Sequence, residues 1–258
     1  MQILRVFAVL FGLMALSNFT KSFELAADHG FVFLGRRLND APNSIASIAF
    51  GTYLAFYAEA LWKRRAYALP MAIAYAGYVF VNMSLFVMRS PEIAAGSAQF
   101  GVTYIAIASG TTLAAIFMVA REDLAHDFSK YETALKTFAL LFTLMALSNF
   151  LKPFVYTETT GFVLLGQRTS GATNVIASCT FAVFLLTYAQ AIWTEKGRAL
   201  TLGVVYATYV LLNLALWNVR KPEGTETTLV FGIAYLIIAI GVSGGAAGML
   251  YRVRDRLA

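Results

Sequence analysis

Long uncharged runs separated by short charged breaks set the pattern of this chain. Ala66–Met88, Ile93–Ala120, Ser170–Thr194, Ala199–Val219 and Thr227–Tyr251 contain no Asp, Glu, Lys or Arg. Each reaches the ~20 residues that a helix needs to cross ~30 Å of hydrocarbon. Barrel strands are about half as long and alternate between apolar and polar positions. The spans are therefore predicted to be helices, which satisfy their own backbone hydrogen bonds in lipid.

Ten residues near the start, LFGLMALSNF from Leu10 to Phe19, return as LFTLMALSNF from Leu141 to Phe150, an offset of 131 residues. The offset holds without a gap through Lys21/Lys152, Gly30-Phe31-Val32/Gly161-Phe162-Val163, Asn43/Asn174, Trp62/Trp193, Tyr75/Tyr206, Asn82/Asn213 and Arg89-x-Pro91-Glu92/Arg220-x-Pro222-Glu223. About half of the positions between Leu10 and Glu92 match, more than shared apolar composition produces, so a whole unit is duplicated. Arg5 followed by Val6 to Leu16 has the look of a signal peptide. Its recurrence deep inside the chain argues instead for a retained helix.

One copy reads as four helices. The first covers about Leu4 to Phe23, the second Asn43 to Trp62, the third Ala66 to Met88 with Pro70 in its first turn, and the fourth Ser97 to Ala120. Pro is tolerated there because a first-turn N–H has no intrahelical partner. Between the first two helices, the apolar island Gly30–Gly35, copied as Gly161–Gly166, is too short to span. It is expected to be partly inserted or to lie at the interface. The flanking Glu24, Asp28 and Asp40 have become Val155, Thr159 and Gly171 in the copy. Shared positions of the second helix (Asn43, Ala46, Phe50, Leu54, Tyr57) and the fourth (Phe100, Gly101, Tyr104, Ala108) recur every three or four residues, one face each. Gly244-x-x-x-Gly248 in the last helix permits close packing.

The expected architecture is an all-α polytopic membrane protein of eight transmembrane helices in two tandem, parallel four-helix repeats. Residues 1–125 form the first, 126–136 the linker and 137–258 the second. An even helix count gives both copies the same orientation, with the pseudo-twofold axis along the membrane normal. On this plan one face collects Arg5, Lys63, Arg64, Arg65, Arg121, Lys130, Lys136, Lys196, Arg198, Arg252, Arg254 and Arg256, twelve of the 20 basic residues. The positive-inside rule then puts both termini in the cytoplasm, in a membrane of the bacterial inner type.

Composition agrees: 59% of the 258 residues are hydrophobic and 13% charged, and the mean hydropathy is +0.67, outside the range of soluble domains. Two histidines and one cysteine, Cys179, supply no metal-ligand set, and no cofactor fingerprint is present. The net charge of +6 follows topology and implies no nucleic-acid partner.

Candidate chemistry lies on the third helix of each copy. Tyr75, Tyr78, Asn82, Leu85 and Arg89, with Tyr206, Tyr209, Asn213, Leu216 and Arg220, form a stripe with a polar end. An Asn in a hydrophobic helix turns inward, because an unsatisfied amide costs about 1–3 kcal/mol. It serves either as glue between helices or in a site; the arginines mark either the water boundary or a ligand. Asn18 and Lys21, copied as Asn149 and Lys152, sit one turn apart. Lysines there commonly snorkel to headgroups. If Lys21/Lys152, Arg37/Arg168 and Arg89/Arg220 converge, they suit a carboxylate, a phosphate or a lipid headgroup; Glu92 and Glu223 could neutralise two of them. Glu59, copied as Gln190, reads as an interfacial carboxylate.

Three functions fit these residues. The first is binding or translocation of a small anionic or amphiphilic molecule between the repeats. The second is a structural subunit with a membrane-complex partner, and the third a lipid-modifying enzyme, for which no nucleophile with an adjacent base is found. Membrane lipids are partners in each.

Overall fold

The computed structural model describes residues 2–23, 30–89, 110, 112–121, 128–155, 161–220 and 229–257. Eight helices lie among them: α1 Gln2–Lys21, α2 Asp40–Trp62, α3 Ala68–Arg89, α4 Thr112–Arg121, α5 Lys130–Val155, α6 Gly171–Trp193, α7 Arg198–Arg220 and α8 Leu229–Arg252. Six of them, α1 to α3 and α5 to α7, are long and apolar enough to cross a membrane. The chain thus has the build of a helical, membrane-integral protein. The first half of the expected fourth span, with Phe100, Gly101, Tyr104 and Ala108, lies outside the described residues, as do Glu24, Asp28, Pro91, Glu92, Pro222, Glu223 and the side chain of Arg89.

Two compact units divide between Thr133 and Ala134. In unit 1, α1 packs along α2. The α2 stripe Asn43, Ala46, Phe50, Leu54 and Tyr57 is buried. Aromatic rings fill the space between helices: Phe11 lies 4.6 Å from Tyr57 and meets Tyr75 edge-on at 5.8 Å, and Phe50 lies 4.3 Å from Tyr78. Lipid tails are as apolar as this core, so close packing and hydrogen bonds distinguish the folded bundle from separated helices. Aromatic pairs each add about 0.5–1.5 kcal/mol.

α2 ends in a Schellman turn: Arg64, at φ 56°, donates its N–H to Leu61 O at 3.3 Å, and Arg65 N–H reaches Ala60 O at 2.8 Å. The left-handed residue here is Arg, not the usual Gly.

Unit 2 packs four helices around Leu135, Ala139 and Phe142 of α5, Leu185, Tyr188 and Ile192 of α6, Ala199 and Tyr206 of α7, and Ala246 and Leu250 of α8. α5 opens at Lys130 behind a capping box, in which Ser129 N–H donates to Glu132 Oε2 at 2.5 Å and Glu132 N–H to Ser129 Oγ at 3.2 Å. Residues 130–136 are accordingly helical. Phe142 lies 4.6 Å from Tyr188 and 5.4 Å from Tyr206. The hydroxyls of Tyr57 and Tyr188, on fully buried side chains, have no hydrogen-bond partner among the described residues.

The islands Gly30–Gly35 and Gly161–Gly166 add short strands to the helical build. Each opens a small antiparallel hairpin, β1 Val32–Phe33 with β2 Arg36–Arg37, and β3 Val163–Leu164 with β4 Gln167–Arg168. Glycines and adjacent apolar residues cannot complete a helical turn of useful length here, and the chain instead reverses within two residues. Both central residues of each turn have positive φ, 46° and 76° at Leu34-Gly35 and 47° and 76° at Leu165-Gly166, as a type I′ turn requires. The hairpins join the α1–α2 and α5–α6 helix pairs at what is here termed the hairpin end; the turns at 63–67 and 194–197 mark the loop end.

Candidate functional site

Each hairpin is tied to its helices by buried amide side chains. At the start of α2, Asn43 Oδ1 accepts the Phe31 N–H at 2.8 Å, and its Nδ2 donates to the Lys21 carbonyl at the end of α1, also at 2.8 Å. Asn174 Oδ1 likewise accepts the Phe162 N–H at 2.8 Å. From α3, Asn82 Oδ1 accepts the Gly35 N–H at 3.0 Å while Nδ2 donates to Val32 O at 3.0 Å, and the Tyr78 hydroxyl donates to the same carbonyl at 3.3 Å. From α7, Asn213 accepts the Gly166 N–H at 3.0 Å and Tyr209 donates to Val163 O at 3.3 Å. These bonds pair the backbone groups of the turn within protein, which is what non-helical backbone requires wherever lipid excludes water.

Gly35 faces the backbone of α3. A Cβ at its position would lie 2.5 Å from the carbonyl carbon of Leu85. No side chain fits that approach, and the positive φ independently selects glycine.

The stripe read from the sequence therefore divides. Tyr78, Asn82, Tyr209 and Asn213 hold the hairpins. Tyr75 and Tyr206 lie deeper, in the aromatic cores. Asn18 bonds its own helix through Met14 O at 2.8 Å, and Asn149 does so through Met145 O at 2.8 Å.

Three cations of unit 2 each lie against its hairpin or the helix beside it. Lys152 Nζ donates to Asn149 Oδ1 at 2.9 Å and stands 5.1 Å from the Phe162 ring centroid. Arg168, on β4, places its guanidinium 5.1 Å from the Trp217 ring of α7. Arg220 donates from Nη1 to the Leu165 carbonyl at the turn, at 3.0 Å. The described acidic residues of unit 2 are Glu195 and Asp255, both in loop-end segments. Three cations thus surround one hairpin with no carboxylate among the described residues there.

In unit 1, Lys21 is half-buried at the end of α1 and Arg37 lies 5.9 Å over the Phe86 ring.

Asn43 and Asn174 were legible as repeat anchors but not as site residues. The overlooked signal was an identical Asn in the first turn of a helix that follows a glycine-bounded island in both copies.

At the loop end, Lys136 of α5 is nearly buried, donates to the Trp193 carbonyl and sits 2.8 Å from Glu195 Oε1. The sequence marks that lysine only as a topology charge. Tyr67 donates to Glu59 Oε2 at 2.7 Å; burial, then this carboxylate, hold its phenol above the usual range.

Among the described residues no group of three or more His, Cys, Asp or Glu side chains is placed to hold a metal. No protein-family model matches the chain, and neither a curated protein nor a solved structure is similar to it.

Proposed function

We propose that this membrane protein binds a small anionic or amphiphilic molecule at its hairpin end, with the acidic headgroup against Lys152, Arg168 and Arg220. The observation that carries the reading is the gathering of these three cations on one hairpin without a described carboxylate. Guanidinium forks suit carboxylate and phosphate oxygens, and the exposed apolar helix faces alongside suit acyl chains. The duplicated sequence supports the same role in unit 1 for Lys21, Arg37 and Arg89, and supports eight spans in two tandem copies. The distribution of basic residues supports a cytoplasmic loop end.

The test is Arg168→Gln with Arg220→Gln, checked for unchanged membrane insertion. Phosphatidylglycerol retained by the purified protein is then measured by native mass spectrometry. Loss of two charge-assisted contacts lowers retention by at least about tenfold. Retention equal to the parent transfers the lead to the complex-subunit reading, for which the exposed Leu165 at the hairpin tip is the supporting observation.

Orientation is tested separately in a Cys179→Ser background. Leu38 is buried, so the exposed neighbours are used: cysteines at Arg37 and Gln167 should react with an impermeant maleimide from one side, and cysteines at Arg64 and Lys130 from the other. Labelling of all four from one side ends the eight-span plan.

A further inference from the structure

One contact sets the level at which three helices of unit 2 leave the core. A Cβ at Gly203 of α7 would lie 2.6 Å from the Tyr188 hydroxyl of α6 and 3.3 Å from Leu250 Cδ1 of α8, so these three residues stand at one height. α6 ends at Trp193, five residues beyond Tyr188; α7 begins at Arg198, five before Gly203; α8 ends at Arg252, two after Leu250. At about 1.5 Å per residue, the three ends lie within roughly one helical turn of each other.

The segment after α8 is folded onto this end. Val253 donates its N–H to Met249 O at 3.2 Å, Arg256 to Val253 O at 2.8 Å and Leu257 to Arg254 O at 3.2 Å, closing a 3₁₀ turn over Arg254–Arg256. Val253 is buried and Leu257 packs on the core of the unit. Arg252, Arg254 and Arg256 are left exposed, at the level of exposed Lys196 and Arg198 from the α6–α7 turn. The Arg254 guanidinium lies 4.3 Å from the Tyr251 ring centroid. Topology asks only that such cations stay on one side of the membrane; the fold also holds these at a fixed depth.

That depth is the headgroup level. α6 and α7 are both long and apolar enough to cross, and the turn carrying Lys196 follows directly on Trp193. Trp193 and Tyr251 are exposed, and such rings at the ends of spans sit among headgroups. The described carboxylates here are Glu195, held 2.8 Å from Lys136, and Asp255, 3.7 Å from Arg254. Glu158, Glu223 and Glu226, outside the described residues, follow α5 and α7 in sequence and so belong to the connections at the other end of those helices.

We propose that the loop end of unit 2 is a docking surface for acidic lipid headgroups, with Arg252, Arg254, Arg256, Lys196 and Arg198 as its contacts. Charge complementarity selects an anion, and the exposed rings beside the cations select one that is part of the bilayer. A fluid headgroup layer meets dispersed cations one at a time, so the surface requires a common level and not a converging pocket. It lies at the opposite end of unit 2 from the hairpin and is independent of a ligand there.

The experiment uses the full chain with Trp62→Phe and Trp217→Phe, so that Trp193 alone fluoresces. It is reconstituted in phosphatidylcholine vesicles carrying brominated phosphatidylglycerol or, in parallel, brominated phosphatidylcholine, in both leaflets, so that the direction of insertion does not matter. Quenching of Trp193 should report on the order of fivefold enrichment of the anionic lipid, the worth of about one cation at a membrane surface. Arg254→Gln with Arg256→Gln should at least halve the enrichment, and Arg254→Lys with Arg256→Lys should retain it. The same Gln pair should leave the quenching ratio of Trp217, read in a Trp62→Phe, Trp193→Phe background, unchanged. Equal quenching of Trp193 by the two lipids overturns the proposal and leaves these cations to a soluble acidic partner. Enrichment that survives the Gln pair overturns it too, as does an equal loss at Trp217, which would mean that the lipid follows the net charge of the chain. If removing Trp62 and Trp217 lowers helix content, the quenching difference between the parent and Trp193→Phe gives the same ratio.

Discussion

Replacing Asn82 with leucine isolates the bond between hairpin and helix. Asn82 is 3% exposed, so water does not stand in for its amide. The substitution removes two hydrogen bonds, Gly35 N–H to Oδ1 and Nδ2 to Val32 O, both 3.0 Å. Each contributes about 1 kcal/mol net, and a buried donor left unpaired costs a further 1–3 kcal/mol or so. Val32 O keeps the Tyr78 hydroxyl at 3.3 Å, so the added penalty falls mainly on the Gly35 amide. Leucine gains little in return, since its reference surroundings are lipid. The net loss is about 2–4 kcal/mol, which corresponds to opening of the hairpin made roughly 30- to 1,000-fold easier. Hydrogen exchange of the 30–38 peptide in detergent measures it, with Asn18→Ala as control because that amide bonds only its own helix. Unchanged exchange in Asn82→Leu refutes the account of the hairpin as held by this amide.

Gly35→Ala should prevent the hairpin from docking, since its Cβ would meet the α3 backbone at 2.5 Å, whereas Gly244→Ala, with open space around it, should leave thermal stability within about 0.5 kcal/mol. Tyr188→Phe removes a buried hydroxyl that has no partner among the described residues and should raise stability by up to about 1 kcal/mol, while Tyr53→Phe loses the 2.6 Å bond to Met71 O and should lower it by about the same amount; a fall in both overturns the first assignment. Glu195→Gln removes the carboxylate 2.8 Å from the nearly buried Lys136 and should cost about 1–3 kcal/mol, seen as a lower unfolding temperature that Lys136→Met partly restores.

The long helices could be read because lipid imposes one rule on every residue of a span, and uncharged runs record it directly. The inward turn of Asn82 followed from the same rule. Its partner did not: Leu34-Gly35 lacks the Asn-Gly or Asp-Gly signature of a type I′ turn, and two-residue strands are too short to show alternation. The Asp40/Gly171 exchange, puzzling as a lost charge, is explained by the positive φ that both residues adopt. Arg220 looked like a boundary marker or a ligand contact, and its bond to Leu165 O depends on a turn 55 residues earlier. Lys136 was hidden for a similar reason, since its burial depends on Trp193 and Glu195, 57 and 59 residues away. Local pattern reports which face is buried, not which distant group meets it.

The 47-residue separation between Gly35 and Asn82 has a consequence for biogenesis. At about 5–20 residues per second of synthesis, the turn amide is made several seconds before the side chain that receives it. During that interval its backbone groups have no partner on α3, and hydrocarbon does not tolerate them. The segment must wait in the wet headgroup zone until α3 arrives, so the hairpin is the last part of the α1–α3 unit to close. A ribosome-bound chain ending before residue 82 should therefore be cut by protease between Gly30 and Leu38, and one extended well beyond it should be protected.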